Sequence, residues 1–120
     1  MTVKKKVLII DDDEKISRMY SRRLARLNLD VTIVYNGATG IEKAFELLPD
    51  LIILDIHMPG MDGLEVITQL RSHGYTGLVV ACSASVSALD THKTIDAGCN
   101  DFIQKPIDEN FEKRILGYLQ

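Results

Sequence analysis

Short apolar runs recur along the chain, each stopped abruptly by polar residues: Val7 to Ile10, Val31 to Val34, Leu51 to Leu54 and Leu78 to Ala81, with a shorter one at Phe102 and Ile103. They are continuously apolar rather than alternating, as expected of strands buried on both faces of a parallel sheet. Between them the apolar positions switch to helical spacing. Ile16, Met19, Tyr20, Leu24 and Leu27 form one stripe, Ile41, Ala44, Phe45 and Leu48 a second, Leu64, Ile67 and Leu70 a third, and Phe111, Ile115, Tyr118 and Leu119 a last. From Val86 to Ala97 only a thin apolar face through Leu89 and Ile95 remains, which predicts a weakly anchored helix.

The punctuation agrees with this pattern. Asp62 with Glu65, and Ser87 with Asp90, have capping-box spacing, and Asp13 and Asp108 are candidate N-caps. Breaks fall at Asn36-Gly37, Pro49-Asp50, Pro59-Gly60, Gly74, Gly98 and Pro106. Five strands alternating with five helices predict an α/β fold, a doubly wound parallel sheet covered on both faces. Ligands of such sheets collect beyond the carboxyl ends of the strands, where strand order reverses. The residues that end the apolar runs are therefore the candidates for chemistry: Asp11 and Asp12, Asp55, Ser83, and Lys105.

At 120 residues the chain predicts one domain spanning 1–120, too short for a second output domain of ordinary size. Its formal charge of −3 gives no electrostatic reason to bind nucleic acid or an anionic membrane. With no membrane span and no signal-type segment, it reads as cytoplasmic. The run Lys4-Lys5-Lys6 reads as a solvated flank, and Cys82 and Cys99, lacking zinc or disulfide spacing, as reduced structural thiols.

Three carboxylates gathered at one sheet edge raise each other's pKa unless a cation joins them. Mg²⁺ suits a few acids on a rigid edge better than Zn²⁺, for which His and Cys ligands are lacking. Lys105 adds a positive charge to the rim and Ser83 a hydroxyl. A divalent cation, a lysine, a hydroxyl and an available carboxylate meet the needs of phosphoryl transfer, with the carboxylate as nucleophile forming an acyl phosphate.

The segments Val7 to Asp13, Leu54-Asp55-Ile56-His57-Met58-Pro59-Gly60-Met61-Asp62-Gly63, Ser83-Ala84 and Gly98 to Pro106 together resemble the receiver domain of bacterial two-component response regulators over the whole chain. The Asp-x-x-Met-Pro-x-x-Asp-Gly block is the specific part of the match; an acidic cluster alone is a weak signal. The resemblance implies a single-domain, chemotaxis-regulator-like protein with the flavodoxin-like strand order 2-1-3-4-5. It implies that Asp55 is the phosphoacceptor and that Mg²⁺ is held by Asp12, Asp55 and the backbone carbonyl of His57, with Asp11 reaching it through water. Lys105 would pair with the phosphoryl group and Ser83 hydrogen-bond it. Pro106 would follow a cis peptide bond, and Ser83 and Phe102 would form the switch. The implied partners are a histidine kinase or histidine phosphotransfer protein and a downstream protein target, the protein being a monomer or a weak phosphorylation-dependent dimer. It would catalyse only its own phosphorylation and dephosphorylation.

Plainer roles compete for each residue. Asp13 reads as a helix cap rather than a ligand; Pro59, Gly60, Asp62 and Gly63 read as turn chemistry. Ser83 could satisfy only a backbone group, Phe102 could be a fixed core aromatic, and Lys105 a surface lysine. Ser83 stands where the family more often has threonine, and His57 and Ser85 occupy positions that tune acyl-phosphate lifetime. A haloacid-dehalogenase-type phosphatase would instead use Asp11 as nucleophile, though Glu14-Lys15 breaks its motif and no cap domain follows. A flavodoxin-like cofactor module would need amides where three acids stand. A degenerate receiver used for docking would have lost Asp55, Lys105 or the acidic pair. With the chain ending at Gln120, the expected output is a protein contact or a further phosphotransfer.

Overall fold

The computed structural model describes residues 4–84 and 88–120, with the side chains of residues 88–90 left aside. Ser85 and the Ser87 to Asp90 capping pair lie outside the described residues, as does the side chain of Leu89. Ten elements alternate: β1 (Lys6–Ile10), α1 (Glu14–Ala25), β2 (Asp30–Val34), α2 (Gly37–Leu47), β3 (Leu51–Asp55), α3 (Gly63–Ser72), β4 (Val79–Ser83), α4 (Ala88–Ala97), β5 (Asp101–Gln104) and α5 (Phe111–Tyr118). The sheet is parallel with strand order β2-β1-β3-β4-β5, so the order reverses at β1 and β3.

The two-residue period of the strands sorts their side chains to opposite faces. Leu8, Ile10, Ile52, Leu54, Val79 and Ala81 pack with Ala44 of α2 and Val66, Ile67 and Leu70 of α3. Val7, Ile9, Leu51, Ile53, Val80 and Cys82 pack with Tyr20 and Leu24 of α1 and Phe111 and Ile115 of α5. Tyr20 and Phe111 stack with ring centroids 5.4 Å apart. Cys82 and Cys99 are free and buried, and burial pushes both thiols up to about 12, so they stay protonated and unreactive.

Several boundaries and faces differ from the pattern in the sequence. β4 begins at Val79 rather than Leu78 and runs to Ser83, because its pairing with β3 starts at Ile52 and Val79. Phe45 and Leu48 of the second stripe are exposed, Leu48 in a left-handed C-cap, whereas Val66, outside the third stripe, is fully buried. Among the described side chains of α4, Thr94 is buried, Ala97 packs against the core and Ile95, one of the two expected apolar positions, is exposed.

The helix starts are mostly as expected. Asp13 accepts from the amides of Lys15 and Ile16, and Asp62 from that of Glu65. Asn36, read only as a turn residue, also caps α2 through Thr39. Asp108 is not the cap of α5: the helix begins at Phe111, and Asp108 instead closes a turn by accepting from the Asn110 amide at 2.9 Å.

Candidate functional site

Strand ends place the polar residues. Asp11 follows β1 directly, its amide still donating to the Val34 carbonyl at 3.1 Å, and Asp55 is the last residue of β3, in register with Cys82. By strand alternation Asp55 shares the face of Leu51 and Ile53, toward α1 and α5. Lys105 follows β5, with its amide donating to the Ser83 carbonyl at 2.8 Å.

These placements bring one lysine between two carboxylates. Lys105 Nζ donates to Asp11 Oδ2 at 3.0 Å and to Asp55 Oδ1 at 3.2 Å. Asp11 and Asp55 are buried while Asp12 is exposed, and one carboxylate oxygen from each of the three lies within 4.8 Å of the others. They line a cleft of about 280 Å³ with Asp13, Ile16, His57, Ala84 and Lys105.

Local backbone chemistry fixes the acids. The Asp13 amide donates to Asp11 Oδ1 at 2.9 Å, so both oxygens of Asp11 are engaged, and Asp13 in turn caps α1. The His57 amide approaches Asp55 Oδ1 at 3.4 Å. The Gly63 amide donates to the Ile56 carbonyl at 2.8 Å, and a Cβ at Gly63 would fall 2.6 Å from the Asp55 carbonyl oxygen. The glycine of the Asp62-Gly63 pair is therefore required by the close approach of α3 to the strand end.

The charges in the cleft do not cancel, since one ammonium faces three carboxylates. Burial, and then repulsion from Asp11, push Asp55 up to about 6, against the lowering effects of Lys105 and the His57 amide. Burial acts to lower Lys105, but Asp11 and Asp55 outweigh it and hold the ammonium above the usual lysine range. An all-oxygen set of this spread, short of positive charge, fits one hard divalent cation; there is no thiol or imidazole in the group for a softer metal.

The remaining expected residues are less direct. Ser83 is buried at the end of β4, and Ala84 rather than Ser83 forms that wall of the cleft. Phe102 is half-buried against the core on the α2 and α3 face, and its carbonyl accepts from Arg114 at 3.1 Å. The Lys105–Pro106 peptide is cis. His57 is exposed on the cleft rim. Two cleft-lining residues had been given no part in the site. Ile16 was visible only as a helix-stripe position, and Ala84 only as the second residue of the Ser83-Ala84 segment.

Comparison with known proteins gives a consistent result. A family model described as the response regulator receiver domain matches residues 7–115. The chain is 36% identical over 116 residues to the response regulator ArlR of Staphylococcus saprophyticus, covering 96% of this chain and 52% of that protein. It is 30% identical over 108 residues to the regulatory protein AtoC of Escherichia coli, covering 90% of this chain and 23% of that protein. The chain thus spans about half the length, or less, of these curated relatives. Among solved structures, the BeF3-activated N-terminal receiver domain of Klebsiella pneumoniae RstA superposes with a TM-score of 0.90 at 25% identity, covering 97% of this chain and 99% of that one. Vibrio cholerae CheY4 shares the fold at a TM-score of 0.89 and 24% identity, covering 98% and 100% of the two chains.

Proposed function

The chain belongs to the response regulator receiver family and is a phosphoacceptor signalling domain of the two-component type, and from this premise we propose that Asp55 is its phosphoacceptor. The observation that carries the assignment is Lys105 Nζ set between Asp11 and Asp55, with three carboxylates within 4.8 Å beside an open cleft. Asp12, Asp55 and the backbone carbonyl of His57 would hold Mg²⁺, with Asp11 reaching it through water. Bound there, the ion would neutralise the carboxylates and the oxygens of an incoming phosphoryl group.

A partner histidine kinase or histidine phosphotransfer protein presents a phosphohistidine. An Asp55 carboxylate oxygen attacks phosphorus as the nitrogen–phosphorus bond breaks, leaving imidazole on the donor and an acyl phosphate here. Attack requires the ionised carboxylate, and a group held at about 6 is mostly ionised at neutral pH. Lys105 pairs with the phosphoryl oxygens and Ser83 hydrogen-bonds them. Later attack by water releases inorganic phosphate and restores the carboxylate. Ser83 and Phe102 carry the change toward α4, β5 and α5, where a downstream protein target reads it.

Residues 1–120 act as one receiver domain, a monomer or a weak phosphorylation-dependent dimer, that catalyses only its own phosphorylation and dephosphorylation. No helix among the described residues is long and apolar enough to cross a membrane; a cytoplasmic site of action is proposed from membership of the receiver family. A phosphatase with Asp11 as nucleophile is disfavoured by the family match and by hydrogen bonds on both Asp11 oxygens. A docking-only receiver is disfavoured because Asp11, Asp12, Asp55 and Lys105 are all retained.

Incubation with acetyl phosphate, with and without Mg²⁺, followed by intact mass and peptide mapping, tests the assignment. One phosphoryl group should appear on the Asp55 peptide in a Mg²⁺-dependent manner and be lost in Asp55→Asn. Label on Asp11, or none in either condition, overturns it.

A further inference from the structure

Leu48 is placed unfavourably on two counts. It takes the left-handed conformation, φ 47° and ψ 60°, at the C-cap of α2, where glycine or asparagine is preferred because a larger side chain crowds the backbone. It is also 68% exposed, the most exposed large hydrophobic residue among the described residues. Phe45, one turn back on the same helix, is partly exposed as well. A strained backbone that carries an apolar side chain out to solvent calls for a function.

Beside Leu48 lies a hollow of about 280 Å³, its other walls formed by Phe45, Pro49, Gly74, Tyr75, Thr76 and Gly77, none of them charged. Its shape is fixed from behind. The Tyr75 ring meets Phe45 edge to face with centroids 5.7 Å apart, and its hydroxyl donates to the Pro49 carbonyl at 3.4 Å. Arg71 holds the carbonyls of Tyr75 and Gly77 at 2.8 and 2.9 Å. The hollow is smaller than the roughly 300–1,000 Å³ clefts that enclose drug-sized ligands and suits a single apolar side chain. Charge around its rim is balanced. Lys43 pairs with Glu46 at 3.2 Å, while the Lys6 amide donates to Asp50 at 2.8 Å and Lys6 Nζ reaches the Leu47 carbonyl at 3.5 Å.

We infer that this corner of the molecule, at the amino ends of β3 and β4, is a contact between two copies of the chain, with Leu48 of each copy seated in the hollow of the other. A two-fold contact needs one patch that is its own complement. Here a projection and a recess of matching character adjoin on one surface, so each copy supplies both. A rim with two cations and two acids lets two copies meet without net repulsion, and it offers no net attraction to a phosphate-rich surface. The corner and Asp55 lie at opposite ends of β3, so both acidic clefts stay open in the pair. The contact therefore forms without phosphorylation, and the inference does not rest on the receiver chemistry.

One projection and one hollow in duplicate make a weak interface, below about 1,200 Å² in total, and association should be half complete between about 10 and about 300 μM. Sedimentation velocity of the unphosphorylated protein from about 5 to about 500 μM measures it. Over the same range the amide chemical shifts of residues 45–50 and 74–77 should move with concentration while those of α4 and α5 stay fixed. Leu48→Asn removes the projection and suits the left-handed backbone, so it should weaken association about tenfold or more with a Tm no lower than wild type. Thr76→Arg, at an exposed position on the mouth of the hollow, should weaken association to a similar extent by blocking entry. A wild type that stays monomeric to the highest concentration overturns the inference and leaves the corner to a segment of some other protein. Association that either folded variant leaves unchanged, or shifts centred on another face, overturns it equally.

Discussion

At the amino end of β4 and β5 Arg71 sits among carbonyls, while at the carboxyl end of the same strands Lys105 sits among carboxylates. The Arg71 guanidinium donates to Gly98 O at 3.0 Å, Tyr75 O at 2.8 Å, Gly77 O at 2.9 Å and Asn100 Oδ1 at 3.0 Å, and lies over the Tyr75 ring. Asn100 Oδ1 also accepts from the Val79 amide at 2.9 Å, which ties the start of β4 to the turn before β5. All of these partners are neutral and fixed by the backbone, so the arginine fork holds one geometry. Lys105 instead bridges charges in excess of its own. One end of the sheet is satisfied and structural, and the other is held short of positive charge, which is the condition for binding a cation and a phosphoryl group.

Removing the satisfied end should cost most. Arg71→Met should destabilise the fold by about 3–4 kcal/mol in urea unfolding, because it removes four hydrogen bonds from a charged donor, three of them part-buried. Mg²⁺-dependent labelling of Asp55 should persist in the fraction that remains folded; loss of labelling without loss of stability would break the contrast between the two ends. Next, Mg²⁺ at about a hundred times its dissociation constant should stabilise the wild type by about 2.7 kcal/mol. Most of this gain should vanish in Asp12→Ala, and unfolding curves with and without Mg²⁺ provide the check.

A smaller effect has the opposite sign. Asp55 binds its proton more tightly folded than unfolded, so in the metal-free protein its contribution to stability is present below the ordinary Asp range and is lost as pH rises from about 4 to about 6. Asp55→Asn should therefore stabilise the metal-free protein at pH 7.5 by roughly 1–2 kcal/mol after solvent screening is allowed for, and should flatten that part of the pH profile. A destabilised Asp55→Asn variant would mean that the acidic end is not repulsive. Smallest, Asp13→Ala should cost about 1 kcal/mol through the lost cap of α1, measurable by thermal unfolding.

How much of this was legible follows from which forces leave a pattern. Buried parallel strands are unbroken apolar runs, and a strand that ends in Asp or Lys marks the sheet edge, so β1, β3, Asp11, Asp55 and Lys105 could be read directly. Arg71 could not, because its partners are carbonyls, which every residue carries. Thr94 was missed on α4 because hydropathy ranks Ile95 above it, although the helix is oriented by packing as a whole. Asp108 and Asn110 are both good cap residues, and only the observed start at Phe111 separates them. Leu48 reads as a stripe residue, yet α2 ends there in a left-handed turn that carries it out to solvent.

The run from Asp11 to Ile16 holds the cleft and the beginning of α1 with the same few atoms: Asp13 supplies the amide that fixes Asp11 and the carboxylate that receives the amides of Lys15 and Ile16. That stretch has no slack. A one-residue insertion or deletion between Ile10 and Ile16 would displace the acids and uncap the helix at once, so this stretch should tolerate exchange of side chains but not a change of length.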